Sequence, residues 1–348
     1  MESRGMKLSK IAAVVTVAGL TLTACGDNNG STNNDGSSQS ASTDSTNSAS
    51  SDKKTVTVED NYGEVTIPVP VERVASTDNR TFQVLEQWKI PLVAAPKKLI
   101  PKTVTAYNGD DVADMGMHRD PNLEALVAAK PDLIISGQRF SQYYEEMKKL
   151  NPGVPIVDFE PRDDKDFFSE MKREVLQLGK VFNKEKDADQ LVNDFDKAAE
   201  RAKKAYQDHG DGKDTVMAVN VSGGDIGYIA PGVGRTFGPV FDLLGLKPAL
   251  KVDKPSSNHE GDDISVEAIA DSNPDWIFVM DRDGAINADK PDYKEASSVI
   301  ADSEALKNVT AVKDKHLVYA PKDTYINESI ITYTTILNNI ADAFNNQQ

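Results

Sequence analysis

Three arginines stand out in a chain that is otherwise strongly acidic. The 348 residues carry a formal net charge of −16, from 39 Lys and Arg against 55 Asp and Glu. Arg139 and Arg282 each follow a short apolar run, and Arg235 lies among glycines in IAPGVGRTFG, residues 229–238. A guanidinium group is a planar fork of donors that binds delocalised oxygen anions and stacks on aromatic rings. Because the overall charge repels anions, these arginines predict a local site for an anionic ligand.

The glycine loop 229–238 suggests a phosphate site at first, but its spacing argues against one. Gly232, Gly234 and Gly238 give the pattern G-x-G-x-x-x-G, one residue longer than the dinucleotide fingerprint, and no Gly-Lys-Ser/Thr follows. We expect the glycines to let backbone and ligand approach each other closely. Arg235 is then the residue of the loop that carries the chemistry.

An internal repeat positions the other two arginines. NLEALVAAKPDLIISGQRF (122–140) aligns without a gap with SVEAIADSNPDWIFVMDRD (265–283), and Arg139 matches Arg282. Each copy predicts a short helix, a Pro-Asp turn and a strand that is buried on both faces, as in a parallel sheet. Ligands of open α/β sheets bind beyond the carboxyl ends of such strands. The repeat therefore predicts two similar α/β lobes with an arginine from each at a shared crevice.

Three further residues follow from this arrangement. Arg80 comes after the first predicted strand of the first lobe and is another crevice candidate. Glu124 and Glu267 occupy matched positions in the first turns of the repeated helices, where negative charge is stabilising. Helix capping and contact with a shared partner both remain possible for this pair of glutamates.

One long helix is predicted between the lobes. Apolar residues recur at helical spacing through residues 183–210, and Gly210 provides a stop signal. Residues 164–182 predict a further helix before it. The predicted organisation is an N-terminal α/β lobe at 55–161, a helical connector at 162–212 and a C-terminal α/β lobe at 213–348, with little hinge motion.

The N-terminus predicts export and anchoring. Basic residues precede the apolar run Ile11–Leu22, and the sequence LTAC that ends at Cys25 looks like the lipobox of bacterial lipoproteins. Residues 1–24 are then a signal peptide, and Cys25 is a lipidated residue that holds the protein at the outer side of the cell membrane. An ordinary signal peptide with a chance cysteine is the alternative. Residues 25–54 have the composition of a disordered tether, and the acidic charge argues against nucleic acid as a partner.

Several of these segments together resemble a known family. VPVERVAS, PNLEALVAAKPDLIISGQRF, GVGRTFGPVFDLLGLKPA and ISVEAIADSNPDWIFVMDRD are similar, in order and spacing, to substrate-binding lipoproteins of iron–siderophore and vitamin B12 ABC importers. The similarity is greatest to the subgroup that binds ferric catecholate siderophores. It implies an α/β fold of two Rossmann-like lobes joined by a single long α-helix, the class III substrate-binding protein architecture.

The resemblance also implies roles for individual residues. Arg235, His259, Arg282 and Tyr325 match family positions around the ligand, whereas Arg139 is displaced by one position from the family pattern. Glu124 and Glu267 match glutamates that dock on arginines of an ABC permease dimer. With Arg80, the predicted ligand-binding residues are Arg80, Arg139, Arg235, His259, Arg282 and Tyr325.

The expected ligand is a ferric siderophore bound by a monomer that holds no permanent cofactor. Ferric iron prefers oxygen ligands, and a siderophore supplies all six, so the protein supplies charge compensation rather than metal ligands. The four histidines show no close ligand spacing. Haem held by Met117 and His259 is the alternative within the family. A surface hydrolase is the alternative from another class, although neither G-x-S-x-G nor H-E-x-x-H occurs.

Overall fold

The first half of the chain forms a five-stranded parallel sheet, in which the strands lie in the order Ala113–Asp114 (β5), Leu92–Ala95 (β4), Val74–Ser76 (β3), Leu133–Ser136 (β8) and Ile156–Asp158 (β9). The computed structural model describes residues 54–257, 262 and 264–346. The strands of this half are β1 Thr55–Asp60, β2 Gly63–Pro68, β3 Val74–Ser76, β4 Leu92–Ala95, β5 Ala113–Asp114, β6 Gly116–Met117, β7 Asp120–Pro121, β8 Leu133–Ser136 and β9 Ile156–Asp158. Its helices are α1 Phe82–Gln87, α2 Leu123–Ala129 and α3 Tyr144–Leu150, with 3₁₀ turns at Lys97–Leu99 and Gln138–Tyr143. β1 and β2 form an antiparallel hairpin, as do the shorter β6 and β7.

Two helices then connect this sheet to the second one. α4 Phe167–Phe182 begins at Asp166, whose side chain accepts from the Ser169 amide, and ends at Asn183 in the left-handed conformation. α5 Glu185–Asp208 has 24 residues, about 36 Å at 1.5 Å per residue. A 3₁₀ turn at His209–Gly212 follows, in which Gly210 has a φ of +54°. The predicted long helix and its glycine stop are confirmed.

The strands of the second half are β10 Thr215–Ser222, β11 Asp225–Tyr228, β12 Lys247–Pro248, β13 Trp276–Asp281 and β14 Leu317–Tyr319. They form a sheet in the order β11-β10-β13-β14, with β12 also paired to β10. β10, β13 and β14 run parallel, and β11 is antiparallel at the edge. The helices are α6 Gly238–Leu244, α7 Val266–Asp271, α8 Arg282–Ile286, α9 Ala296–Asp302, α10 Thr310–Lys313 and α11 Ile330–Asn346.

The last helix returns to the connector. α11 packs along α5, with Phe344 against Tyr206 at a ring separation of 5.5 Å and Arg201 bonded to Asn338. One continuous buried apolar cluster includes Phe82 of the first half, Phe168 and Phe195 of the connector, and Phe278 of the second half. Because the two lobes share this core, large relative motion would expose apolar surface to water.

Both copies of the predicted repeat fold as expected. The first copy is α2 followed by β8, and the second is α7 followed by β13. One parallel sheet and one mostly parallel sheet, with a long connecting helix, confirm the predicted fold class. Within the described residues no helix is both long and apolar enough to cross a membrane. The predicted signal peptide, Cys25 and the tether up to residue 53 lie outside the described residues.

Candidate functional site

Three guanidinium groups converge on one aromatic ring. The ring of Tyr325 has the Cζ atoms of Arg235, Arg282 and Arg139 at 4.4, 5.2 and 5.5 Å from its centroid. Tyr325 is only 6% exposed and follows the second sheet in a segment that precedes α11. Arg139 comes from the first lobe, and Arg235 and Arg282 from the second. The structure thus brings together four of the six residues that the sequence predicted.

The strand order explains how the two repeated arginines meet. In the first sheet, β4 and β5 extend from one side of β3, and the chain then crosses to the other side to form β8. In the second sheet, β11 lies on one side of β10 and β13 on the other. The strand order therefore reverses between β3 and β8 and between β10 and β13. Arg139 lies in the 3₁₀ turn just after β8, and Arg282 is the first residue of α8, directly after β13. Arg282 Nη1 donates to Ser222 Oγ, at the end of β10, over 2.8 Å. The crevice beyond such a crossing point is where open α/β sheets hold ligands.

The glycines of the loop that carries Arg235 allow two parts of that loop to pack closely against each other. A Cβ on Gly234 would lie 2.6 Å from the backbone nitrogen of Ala230, and one on Gly238 would lie 2.9 Å from the Ala230 oxygen. The amide of Gly232 donates to the Gly238 carbonyl at 2.8 Å. Close approach between two parts of the same loop therefore accounts for Gly234 and Gly238, and the approach of a ligand to this backbone stays a prediction.

Arg235 is already engaged by a carboxylate. Its Nε and Nη2 donate to the two carboxylate oxygens of Glu328 at 3.1 and 2.8 Å, and Nη2 also donates to the Tyr325 carbonyl at 2.9 Å. Glu328 Oε1 also accepts from the Thr236 hydroxyl at 2.7 Å. The Glu328 side chain is 3% exposed. Burial alone would raise the pKa of Glu328, but Arg235 and Arg80 lower it below its ordinary value, so the carboxylate is ionised.

The arginines border a cavity of about 880 Å³. Other basic side chains line it, and no carboxylate does within the described part of the chain. The basic lining consists of Lys97, Lys98, Lys102, His118, Arg119, Arg139, Arg235 and Arg282. An apolar portion is contributed by Leu99, Ile100, Pro101, Met117, Ala285, Ile286 and Ile326. Such a cavity matches a compact anion that also carries apolar or aromatic groups.

Donors of this cavity are left without partners. Nη1 of Arg139 and Nε of Arg282 are buried and make no hydrogen bond within the described residues. Burial and the charge of Arg235 lower the pKa of Arg139. Burial would raise the pKa of the Tyr325 phenol, but a hydrogen bond with Arg282 and the three arginine charges outweigh it and lower that pKa. A ligand that accepts hydrogen bonds and carries negative charge would satisfy these donors.

His118 also lines this cavity. Burial, together with the charges of Arg139 and Arg119, lowers the pKa of His118 below its ordinary value. Within the residues described, no group of three or more His, Cys, Asp or Glu side chains is placed to hold a metal ion.

The structure places Arg80 beside the arginine cavity rather than in its lining. Its guanidinium lies 3.5 Å from a Glu160 oxygen and 3.9 Å from a Glu328 oxygen. It lines a second cavity, of about 660 Å³, which it shares with Arg235 and Glu328. Met117 lines the main cavity. His259, the other residue of the haem alternative and a predicted ligand contact, lies outside the described residues.

Buried carboxyl groups surround the first-lobe end of this site. Desolvation by burial raises the pKa of Asp78 and of Glu174, and Arg80 only partly opposes it. Desolvation likewise raises the pKa of Asp158 to about 7. These groups bind protons at a pH where exposed carboxyls do not.

The two matched glutamates lie at the surface. Glu124 and Glu267 are exposed in the first turns of α2 and α7. The caps are supplied by Asn122, which accepts from the Ala125 amide, and by Ser265, which accepts from the Ala268 amide. Neither glutamate forms an ion pair with any other described residue. Capping therefore does not require them, and both carboxylates are free to contact a partner.

Similarity of this chain to known proteins shows its family. The model of the family described as periplasmic binding protein matches residues 74–324. The chain belongs to the periplasmic binding protein family. This is a family of substrate-binding proteins, which favours binding over the hydrolase alternative.

Two relatives with similar sequences are named for the ligands that they bind. The ferric-anguibactin-binding protein FatB of Vibrio anguillarum is 30% identical over 81% of this chain and 85% of its own length. The petrobactin-binding protein YclQ of Bacillus subtilis is 28% identical over 92% of this chain and 93% of its own length. Among solved structures, the catecholate-siderophore-binding protein VctP of Vibrio cholerae superposes with a TM-score of 0.69 at 24% identity. That match covers 84% of this chain and all of VctP, and it shows the shared fold.

Proposed function

We propose that the protein captures an anionic ferric siderophore, of the catecholate class, between its two lobes and delivers it to an ABC importer. The convergence of Arg139, Arg235 and Arg282 on Tyr325 carries this proposal. The names of the relatives FatB and YclQ support it, because both proteins are named for binding siderophores. The predicted absence of a permanent cofactor is part of the same proposal, since the iron complex is the cargo.

The chemistry of the cavity favours a catecholate complex. Each catecholate offers two oxygens with negative charge and one flat aromatic ring. Guanidinium groups bind the oxygens and stack on the ring. The unpartnered nitrogens of Arg139 and Arg282 provide such donors, and the apolar wall that includes Ile286 and Ile326 provides contact area for the rings. Arg80 and His259 remain proposed ligand contacts.

Anchoring and delivery involve other parts of the chain. Lipidation of Cys25 in LTAC would hold the protein at the outer side of the cell membrane, with residues 25–54 as the tether. Glu124 and Glu267 would dock on the permease, one from each lobe, because both are exposed and unpaired. A monomer suits this arrangement, since each lobe presents a single glutamate to the permease dimer.

Isothermal titration calorimetry tests the ligand. We expect micromolar or tighter binding of a ferric tris-catecholate complex, and much weaker binding of the iron-free chelator. Replacing both Arg139 and Arg282 by Gln should weaken binding at least about a hundredfold, because two charge-assisted hydrogen bonds of about 1.5–3 kcal/mol each are lost. Arg201→Gln is the matched control, since Arg201 bonds to Asn338 on the connector side.

The same titrations separate the alternatives. Binding of haem, without binding of any siderophore complex, would establish the haem alternative instead. If no catecholate, hydroxamate or haem complex binds at micromolar concentration, the proposal is refuted.

A further inference from the structure

The charge of the arginine cavity is reduced by one carboxylate, Glu328, which is not part of the cavity lining but pairs with Arg235. Among the three guanidinium groups around Tyr325, that of Arg235 is held by both oxygens of Glu328 at 2.8 and 3.1 Å. Arg282 donates to the Ser222 hydroxyl, is hydrogen-bonded with the Tyr325 phenol, and has its nearest described carboxylate oxygen, of Asp283, at 3.9 Å. No carboxylate holds Arg139 within the described residues. Arg139 and Arg282 therefore keep charge for a ligand, whereas Arg235 does not.

Glu328 is fixed before any ligand enters. Besides Arg235, it accepts from the Thr236 hydroxyl at 2.7 Å. Thr236 adopts a φ of +63°, a left-handed conformation that costs a non-glycine residue about 1–2 kcal/mol. Arg80 lies farther away, at 3.9 Å, and it also interacts with Asp78 and Glu160, although Glu328 has the largest effect of the carboxyl groups on the pKa of Arg80. Of the two arginines, Arg235 has the larger effect on the pKa of Glu328. The principal partner of Glu328 is thus Arg235, and the pair is neutral as a unit.

We infer that Glu328 determines which net charge of iron complex the cavity prefers. It does so by neutralising Arg235, which weakens the attraction between Arg235 and an anionic ligand. This inference rests on the proposed function and adds a specificity residue to it. Glu328 does not need to touch the ligand, because it acts through Arg235 and is therefore a positioning residue. Glu328 accordingly lowers the affinity for a trianionic complex below the value that three unpaired guanidinium groups would give, without excluding such a complex.

The test compares complexes that differ in charge. A ferric tris-catecholate complex is trianionic, because each catecholate carries two charges, whereas a ferric tris-hydroxamate complex is neutral. In Glu328→Gln the single amide oxygen can still accept from Arg235 Nε and the Thr236 hydroxyl, whereas the acceptor for Arg235 Nη2 and the negative charge are both gone. We expect the affinity for the trianionic complex to rise about tenfold or more, since one like charge has been removed near the ligand. The affinity for the neutral complex should change by less than about threefold.

A second variant keeps the test valid if the first folds poorly. Replacing Arg235 and Glu328 together by Gln removes both charges of the pair and leaves no buried ion without a partner. Since the pair is neutral as a unit, the double variant should bind the trianionic complex within about threefold of the original protein. If Arg235 lends its charge to the ligand, the double variant instead loses affinity for the trianion but not for the neutral complex.

The outcomes separate this inference from the proposed function. A fall in affinity for both complexes in Glu328→Gln would mean that Glu328 only supports the fold, and would overturn the inference. An unchanged preference between the two complexes in Glu328→Gln would overturn it as well. Failure of the unmodified protein to bind any iron complex would refute the proposed function instead. Circular dichroism and thermal unfolding of each variant show that the fold is retained.

Discussion

Asp158 provides the most quantitative prediction, because its titration is linked to folding. The carboxyl lies at the end of β9, where it accepts from the Asn61 side chain at 3.1 Å and from the Glu160 amide at 3.0 Å. Desolvation raises its pKa from the ordinary 3.8 to about 7, and the nearby carboxyls of Asp78, Glu160 and Asp60 add to the increase.

The sign and size of the effect follow from this shift. A raised folded-state pKa means that the protonated carboxyl stabilises the fold. That contribution is complete below about pH 4 and is lost as the pH rises to about 7. A difference of about three pKa units at about 1.36 kcal/mol each gives about 4 kcal/mol at most. Asp158→Asn keeps the acceptor oxygen and cannot ionise, so the variant should gain up to about 4 kcal/mol over the original protein at pH 8 and almost nothing at pH 4.

Urea unfolding at a series of pH values measures this difference. The exposed Asp164 is the matched control: its hydrogen bond with Lys165 lowers its pKa, so Asp164→Asn should produce no such gain at high pH. The reasoning fails if the stability difference between Asp158→Asn and the original protein stays constant from pH 4 to pH 8. It also fails if the variant is the less stable protein at pH 8.

Three further predictions concern the loop, the ligand and the permease. Gly234→Ala should destabilise the fold by about 2–3 kcal/mol, because the added Cβ would lie 2.6 Å from backbone; a thermal melt within 1 °C of the original would contradict this. Tyr325→Phe should weaken ferric siderophore binding about tenfold in calorimetry through loss of the phenol oxygen, and an unchanged Kd would remove that oxygen from the site. Replacing Glu124 and Glu267 by Ala should abolish iron uptake by cells while the Kd for the ligand is kept. Glu146, an exposed first-turn glutamate of α3, is the control for uptake, and normal uptake by the double variant would exclude the docking role.

Local sequence patterns were sufficient to predict the fold and the positions of Arg139 and Arg282 at the ends of two strands. The Pro-Asp turns and apolar runs of the repeat specify helix, turn and strand within about twenty residues, so Arg139 and Arg282 could be placed at strand ends. Their convergence on one crevice follows from the rule that parallel strands share a carboxyl edge. The long helix was equally visible, since its apolar spacing and Gly210 are local signals.

The ion pair around Arg235 could not be predicted in this way. Arg235 has few acidic neighbours in sequence, and its partner Glu328 lies in a segment that reaches it only through the tertiary fold. Another feature was visible and was missed: PKKLIPK, residues 96–102, is a basic run in an acidic chain. Its lysines line the cavity. Since basic residues in an acidic chain indicate a local site for an anion, this run was also a candidate anion contact.

The segment that carries Tyr325 and Glu328 has a consequence for biosynthesis. In the chain it follows every described strand of both sheets. It also contacts the first lobe, because Asn79 Nδ2 donates to the Ile326 carbonyl at 2.7 Å. A chain made and exported from its N-terminus can complete both sheets before this segment arrives. The candidate site is therefore completed only after both sheets, and a chain that ends before Tyr325 lacks the ring on which the three arginines converge.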